Sequence, residues 1–195
     1  MFHNGFLKVA TSSPKVSVGD PIANVEVMLK SLKVAQDHQA GVLVFPELSI
    51  CGYTCGDLLF QTYLLQDVKK AIEILLERNP FDGVFTVGAP IANHRNLYNC
   101  AIVIQKDKIL GIIPKYYLPN DMEFYEERWF TRGYEIVKHY EEIEFLGRKV
   151  PFGDLIFDNY TYDLSFGVEI CQDLWVPSSP SQRLALNGAD IILNL

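Results

Sequence analysis

The chain has 195 residues and a formal net charge of −7; 49% of its residues are hydrophobic and 21% are charged. This length suits one domain that buries its own core without disulfides or a metal, and the negative charge argues against a nucleic-acid surface. Since no apolar run is long enough to cross a membrane and the N-terminus lacks the pattern of a secretory signal, we expect a cytoplasmic protein.

The first predicted helix begins after Asp20, which suits the N-cap, with Pro21 at the first helical position. Apolar residues then recur at mainly helical spacing until Gly41, which suits the C′ position. The continuous apolar run over residues 42–45 is typical of a strand buried on both faces. That strand ends just before Glu47.

The second predicted helix covers residues 57–78 and ends before an Asn-Pro pair. A short apolar run over residues 83–88 predicts the next buried strand. Two apolar segments, at residues 99–105 and 109–113, flank a charged turn and predict a hairpin. The second strand of that hairpin ends just before Lys115.

A polar and aromatic loop follows over residues 116–133. The next strand is predicted at residues 164–170, immediately before Cys171. A short helix at residues 181–187 and a final apolar strand at 189–195 complete the chain. This order mixes βαβ units with hairpins and predicts an α/β fold in which helices cover a mixed sheet. Because natural domains usually end in polar residues, an apolar final strand suggests that residues 1–195 are an incomplete domain of a longer protein.

Three reactive side chains therefore follow the ends of three buried strands. They are Glu47, Lys115 and Cys171. Sites in open α/β sheets gather beyond the carboxyl ends of strands, and a buried Glu and Lys would satisfy each other's charge. Taken singly, each residue has an ordinary explanation: a buried cysteine is usually a small hydrophobe, and the two charged residues could be solvated loop groups.

Together, the three side chains suit acyl transfer through a thioester. A cysteine thiolate is the nucleophile, and the cation of Lys115 would lower the pKa of the Cys171 thiol and stabilise an oxyanion. Glu47 would accept the thiol proton and later activate water. The backbone N–H of Gln172, next to the nucleophile, is a natural second oxyanion donor.

The four cysteines do not have the spacing of a secreted disulfide framework; they are Cys51, Cys55, Cys100 and Cys171. Three residues separate Cys51 from Cys55, but no second ligand pair follows at the spacing of a zinc site. We therefore expect reduced thiols and no metal in this domain.

Three segments resemble the motifs of the nitrilase, or carbon–nitrogen hydrolase, superfamily, in the family's order and at compatible spacing. They are residues 45–53 (FPELSICGY), 114–119 (PKYYLP) and 167–175 (GVEICQDLW). The resemblance implies an α-β-β-α sandwich, here truncated on its C-terminal side. By motif, it implies that Glu47 is the base, Lys115 the stabilising cation and Cys171 the nucleophile.

The superfamily often has a second glutamate shortly after the lysine, and Glu123 stands at the matching offset. The resemblance therefore implies that Glu123 orients Lys115 and the substrate. The alternative is that Glu123 is a solvated loop carboxylate.

A narrower resemblance lies in residues 118–130 and 171–177, which are similar to the glutaminase domain of glutamine-dependent NAD synthetases. By motif position, Tyr53 and Phe124 would line the glutamine pocket, although both could be core aromatics instead. Gln172 departs from the pattern, because that group usually carries a glutamate there. The neutral side chain removes a charge that could help to hold the amino group of glutamine.

This narrower resemblance also implies partners outside the chain. Glutamine would be hydrolysed here without a cofactor, and ammonia would pass to a synthetase domain beyond residue 195. That domain would use ATP, Mg²⁺ and deamido-NAD. The superfamily resemblance further implies a homo-oligomer.

Two other functions stay open at this stage. One is a free-standing amidase, nitrilase or carbamoyl hydrolase that acts on another small amide. The other is a non-catalytic interaction module with the same fold.

Overall fold

The computed structural model describes residues 2–133 and 141–195. Within them, the α-helices are α1 (Pro21–Asp37), α2 (Thr62–Arg78) and α3 (Pro180–Leu186). Short 3-10 helices span Tyr53–Phe60, Glu126–Arg128 and Cys171–Trp175. The strands are β1 (Phe2–His3), β2 (Phe6–Leu7), β3 (Val9–Thr11), β4 (Val42–Val44), β5 (Val84–Asn93), β6 (Asn96–Gln105), β7 (Lys108–Pro114), β8 (Glu141–Phe145), β9 (Arg148–Phe152), β10 (Ile156–Asn159), β11 (Leu164–Glu169) and β12 (Ile191–Asn194).

The main sheet is mixed, as the element order predicts. Its strand order is β3-β4-β5-β6-β7-β9-β8. β3, β4 and β5 are parallel, β5-β6-β7 is an antiparallel meander, and β9 pairs parallel with β7 and antiparallel with β8. A smaller sheet has the order β10-β11-β12, with an antiparallel and then a parallel pair.

Alternation along β6 shows how the main sheet separates two cores. Ile102 and Ile104 point into the core beneath α1 and α2, whereas Ala101 and Val103 point into a second core. The second core also contains residues of β11 and β12, so the two sheets pack face to face. Burial of each large aliphatic side chain stabilises the fold by roughly 1.5–3 kcal/mol.

The fourth layer is α3, which covers the outer face of the small sheet. Gly167 of β11 permits this close approach, because an added Cβ would lie 2.7 Å from Cδ1 of Leu184. Helix, sheet, sheet and helix therefore stack as an α-β-β-α sandwich, which confirms the predicted fold class. Among the described residues, no helix is long and apolar enough to cross a membrane.

Helix α1 begins as predicted and ends early. The carboxylate of Asp20 accepts a hydrogen bond from the N–H of Ala23 at 3.0 Å. At the other end, Gln39 adopts a left-handed backbone with φ 55° and donates to Gln36, while Ala40 donates to Ala35. This pair of bonds is a Schellman motif centred on Gln39, so the prediction of Gly41 at C′ is wrong.

The predicted second helix is also divided. Residues Tyr53–Phe60 form a 3-10 helix that is kinked at Gly56, and α2 begins only at Thr62. Gln61 lies between them in extended conformation, with ψ 122°. The C-terminal end at Arg78 agrees with the sequence analysis.

Strands β8, β9 and β10 were not predicted. The first two form a hairpin whose turn contains Leu146 and Gly147, both with positive φ. Their apolar residues alternate with charged ones: Ile143 and Val150 are buried, whereas Glu144 is exposed. This alternation is the ordinary signal of a half-buried strand.

Candidate active site

The topology brings the ends of β4 and β7 to the same edge of the main sheet. Both strands run in the direction of β5, because β4 is parallel to it and β7 is two antiparallel steps away. Glu47 follows β4 and Lys115 follows β7. Asn99 of β6 lies between them, and its carbonyl accepts the N–H of Lys115 at 2.7 Å.

Lys115 is fully buried and holds two carboxylates. Its Nζ donates to Oε1 of Glu47 at 2.6 Å, and to Oε1 and Oε2 of Glu126 at 2.8 and 3.1 Å. The exposed fractions of the three side chains are 0% for Lys115, 11% for Glu47 and 2% for Glu126. Removal of one member of such a buried group leaves an uncompensated charge, which costs about 3–5 kcal/mol.

The second glutamate on Lys115 is Glu126, and the expectation for Glu123 is contradicted. Glu126 opens the 3-10 helix Glu126–Arg128, and its N–H donates to the carbonyl of Pro119 at 3.1 Å. This turn directs Glu126 inward, whereas Glu123 is exposed. Offset from the lysine alone could not distinguish the two residues, since the difference arises from how the loop folds back.

Two further side chains hold Glu126. The hydroxyl of Tyr53 donates to Oε1 of Glu126 at 2.7 Å. Asn99 donates from Nδ2 to Oε1 of Glu47 at 2.7 Å and to Oε2 of Glu126 at 3.4 Å. Neither Asn99 nor Glu126 was predicted from the sequence. The available signal for Asn99 was an amide side chain at the start of an apolar run, and the structure buries it.

Cys171 lies at a tight turn after β11. Its φ is 47°, a left-handed conformation that is uncommon for a residue with a side chain and is found in turns and functional sites. The N–H of Cys171 donates to the carbonyl of Leu195 at 2.8 Å, which ties the turn to the end of β12. The thiol is half-buried, and the charges of Glu47 and Lys115 both act on it.

Burial and neighbouring charges shift the pKa values of Cys171, Glu47 and Lys115. Burial and the negative charge of Glu47 raise the pKa of the Cys171 thiol, and Lys115 opposes them. Burial also raises the pKa of Glu47 against the effect of Lys115. Burial alone would lower the pKa of Lys115, but Glu47 and Glu126 outweigh it and raise that pKa. At neutral pH the thiol is therefore protonated, Lys115 is a cation, and Glu47 is a stronger base than an exposed carboxylate.

Gln172 is the second residue of the 3-10 helix Cys171–Trp175. The first N–H groups of a helix have no acceptor within it and are oriented towards its N-terminus. The backbone N–H of Gln172 is thus held beside Cys171 by covalent geometry.

Tyr53 and Phe124 line one cavity of about 410 Å³. Their rings make an edge contact with centroids 6.4 Å apart. Glu123 lies on the same wall, along with Tyr125 and Trp129. We call Lys115, Glu47, Glu126 and Asn99 the Lys115 cluster. Because the Tyr53 hydroxyl also donates to Glu126, this one side chain connects the cavity with the Lys115 cluster.

The side chains of the remaining cysteines lie in the core beneath α1 and α2. Cys51, Cys55 and Cys100 are buried free thiols. Within residues 2–133 and 141–195, no group of three or more His, Cys, Asp or Glu side chains is arranged to hold a metal ion.

Comparison with curated proteins finds relatives that are much longer than this chain. The glutamine-dependent NAD(+) synthetase of Mycobacterium tuberculosis is 38% identical over 199 residues, which covers 100% of this chain and 29% of that protein. The human protein of the same name is 38% identical over 183 residues, covering 88% of this chain and 25% of its own length. The chain thus spans less than a third of the relatives that it matches.

Comparison with solved structures gives the same picture. A glutamine-dependent NAD(+) synthetase from Cytophaga hutchinsonii superposes with a TM-score of 0.82 at 26% identity, over 96% of this chain and 30% of that one. An amidase from Nesterenkonia sp. has a TM-score of 0.73 at 16% identity, over 96% of this chain and 64% of that one, and it shows a shared fold.

The family model for carbon–nitrogen hydrolases matches residues 8–195, which include every residue of the Lys115 cluster and Cys171. With this match and a sandwich fold shared with an amidase and an NAD(+) synthetase, the chain belongs to the carbon–nitrogen hydrolase family.

Proposed function

We propose that this chain is the glutamine-hydrolysing part of a glutamine-dependent NAD synthetase, and that it releases ammonia through a thioester on Cys171. The observation that carries the proposal is the buried Lys115 amine, held between Glu47 and Glu126, with the Cys171 thiol beside Glu47. The names of the relatives support glutamine as the amide donor.

In the first half-reaction, Glu47 takes the proton of the Cys171 thiol, and the thiolate attacks the amide carbon. The carbonyl oxygen becomes an oxyanion, stabilised by the Lys115 ammonium and the backbone N–H of Gln172. Glu47 then returns the proton to the leaving nitrogen. The C–N bond breaks, ammonia leaves, and the acyl group stays on sulfur as a thioester.

In the second half-reaction, Glu47 removes a proton from water, which attacks the thioester carbon. The same two donors stabilise the second oxyanion. The C–S bond breaks and the Cys171 sulfur regains its proton. The sum is one amide and one water converted to one carboxylic acid and one ammonia, a balance that needs only groups already in the chain.

The cavity walled by Tyr53 and Phe124 would hold the amino-acid part of the substrate, beside the cluster that Tyr53 contacts. In the longer protein, ammonia would pass to a synthetase domain in cis that uses ATP, Mg²⁺ and deamido-NAD. We also propose that the protein is cytoplasmic and forms homo-oligomers, as its superfamily resemblance implies.

The test is to treat the full-length protein with a diazo-ketone analogue of glutamine and locate the adduct by mass spectrometry. We expect a single adduct on Cys171, slowed by glutamine and absent in Cys171→Ala. Cys100→Ala is a matched control, since it removes a thiol that is buried in the core beneath α1 and α2. Labelling elsewhere, or none on folded protein, would contradict the proposal.

Hydrolysis of another small amide is the second candidate, and the neutral side chain of Gln172 favours it. Without a charge at this position, the amino group of glutamine has one fewer partner next to the nucleophile. Rates for glutamine and for simple aliphatic amides should be compared on the same preparation. Equal kcat/KM values would favour the broader amidase, whereas a preference for glutamine of 10²-fold or more would favour the first candidate.

A further inference from the structure

Asp173 is a buried carboxylate whose acceptors are used by backbone N–H groups from two separate segments. Its Oδ1 accepts from the N–H of Tyr116 at 3.1 Å and of Tyr117 at 2.8 Å. Its Oδ2 accepts from Tyr116 at 3.2 Å and from Ile170 at 3.2 Å. The side chain is 1% exposed, so water does not compete for these bonds.

The donors of these bonds flank the reacting groups. Tyr116 and Tyr117 directly follow Lys115, and Ile170 directly precedes Cys171. Lys115 follows a strand of the main sheet, whereas Cys171 follows a strand of the small sheet. One carboxylate therefore connects the ends of two different sheets, at the point where their side chains have to meet.

Two further contacts join the loop after Lys115 to the part of the chain that follows Cys171. The guanidinium of Arg183, on α3, lies 4.5 Å from the centroid of the Tyr116 ring. The hydroxyl of Tyr117 donates to the carbonyl of Ser178 at 3.2 Å. These contacts fix the outer part of the loop, and Asp173 fixes the backbone next to Lys115.

We propose that Asp173 is a positioning residue that sets the separation between the Cys171 thiol and the Lys115 amine. This inference rests on the proposed function, because it assigns those two groups to one reaction. Asp173 touches no reacting atom. It holds the backbone on both sides, and displacement of a reacting group by about 1 Å can lower a rate by about 10²-fold.

The deciding variant is Asp173→Asn in the full-length protein, which keeps the shape and changes the acceptors. An amide has one oxygen and one NH₂, so at least one of the N–H groups would face another donor. Asp190→Asn is the matched control. Asp190 accepts one backbone N–H, from Ser165 at 2.8 Å, at the opposite end of β11.

Competent sites are counted by titration with the diazo-ketone analogue, and kcat is expressed per titrated site. We expect kcat in Asp173→Asn to fall about 10²-fold with KM for glutamine changed less than about 3-fold, and Asp190→Asn to keep both values. A residue with only a structural role would lower the number of sites and leave kcat per site unchanged. That result would overturn the proposal.

A crystal structure of Asp173→Asn provides a readout that does not depend on glutamine. We expect the distance from Nζ of Lys115 to Sγ of Cys171 to differ from the wild-type distance by about 1 Å. An unchanged distance overturns the positioning role, whereas inactivity of the wild type towards glutamine overturns only the proposed function. Should Asp173→Asn not fold, Asp173→Ser keeps one acceptor oxygen and is tested in the same way.

Discussion

Two ion-paired groups in this chain have similar chemistry and opposite surroundings. Lys115 and its two glutamates are buried, whereas Asp57 and Arg128, on the rim of the neighbouring cavity, are more than half exposed. The exposed pair has good geometry, with Nε and Nη2 of Arg128 each 2.8 Å from a carboxylate oxygen. Good hydrogen-bond geometry therefore does not show how much an ion pair contributes to stability. Water screens the exposed pair, whereas loss of any one partner leaves an uncompensated charge in the buried group.

Replacement of Lys115 by Met gives the largest expected difference between the two regions. It leaves the carboxylates of Glu47 and Glu126 buried together without a cation, so we expect a loss of about 3–5 kcal/mol in the free energy of unfolding. We also expect kcat for amide hydrolysis to fall roughly 10² to 10³-fold, since an oxyanion donor is lost. Urea unfolding and steady-state kinetics measure the two effects. An unchanged kcat would reduce Lys115 to a structural role.

Glu126→Gln and Glu123→Gln compare a buried and an exposed carboxylate in the same loop. Glu126 accepts from Lys115 and Tyr53, and loss of such charged hydrogen bonds costs about 1.5–3 kcal/mol in the free energy of unfolding. Because Glu126 also holds the Lys115 amine in place, we expect kcat to fall as well. Glu123 is exposed on the cavity wall, so we expect its variant to retain kcat. Measurement of kcat for both variants shows which glutamate the reaction depends on. A loss confined to Glu123→Gln would restore the original interpretation of the sequence.

The buried carboxyl of Asp173 should make the stability of the fold depend on pH. Burial raises the pKa of Asp173 to about 6, against the opposing hydrogen bonds from Tyr117, Tyr116 and Ile170. Since the unfolded value is about 3.9, the folded chain binds the extra proton between these pH values, and stability falls as the pH rises from about 4 to about 6. Lys115 and Tyr116, which face Asp173, have raised pKa values and keep their charge states in this range.

We therefore expect the stability of the wild type, relative to Asp173→Asn, to decrease by up to about 3 kcal/mol over this interval and then to level off. Urea unfolding of both proteins at several pH values measures the difference. Parallel curves would show that the Asp173 carboxyl does not retain its proton on folding.

The smallest expected effect belongs to the exposed pair. Hydrogen bonds from Arg128 and then from Trp129 hold the pKa of Asp57 well below its ordinary value. A lowered pKa contributes stability above the unfolded value that is lost as the pH falls through the folded one, but solvent screens this contribution at an exposed site. We expect Asp57→Asn to shift the urea midpoint less than Glu126→Gln does. A larger shift for Asp57→Asn would contradict the expectation that the exposed ion pair contributes less to stability than the buried one.

The sequence predicted the elements that depend on local patterns. Apolar runs marked β4 and β5, and the three reactive residues after strand ends were identified without knowledge of the sheet. The structure places Glu47 and Cys171 together with Lys115, while their roles in catalysis stay predictions.

The errors arose where long-range packing overrides a local signal. Gln39 occupies the left-handed position at the end of α1, although a glycine stands only two residues further on. Glu126 points inward because the loop folds back on Pro119, which no offset along the chain encodes. Asn99 acquires its importance only because β6 lies between the strands that carry Glu47 and Lys115.

The Lys115 cluster has one more negative charge than positive, since two carboxylates share one ammonium. In the proposed mechanism, transfer of the thiol proton to Glu47 would relocate that charge without adding another. The proposed hydrolysis, however, would turn a neutral amide into an anion in contact with this cluster. The excess charge that is tolerated during the proposed acylation would therefore repel the carboxylate product and hasten the emptying of the site.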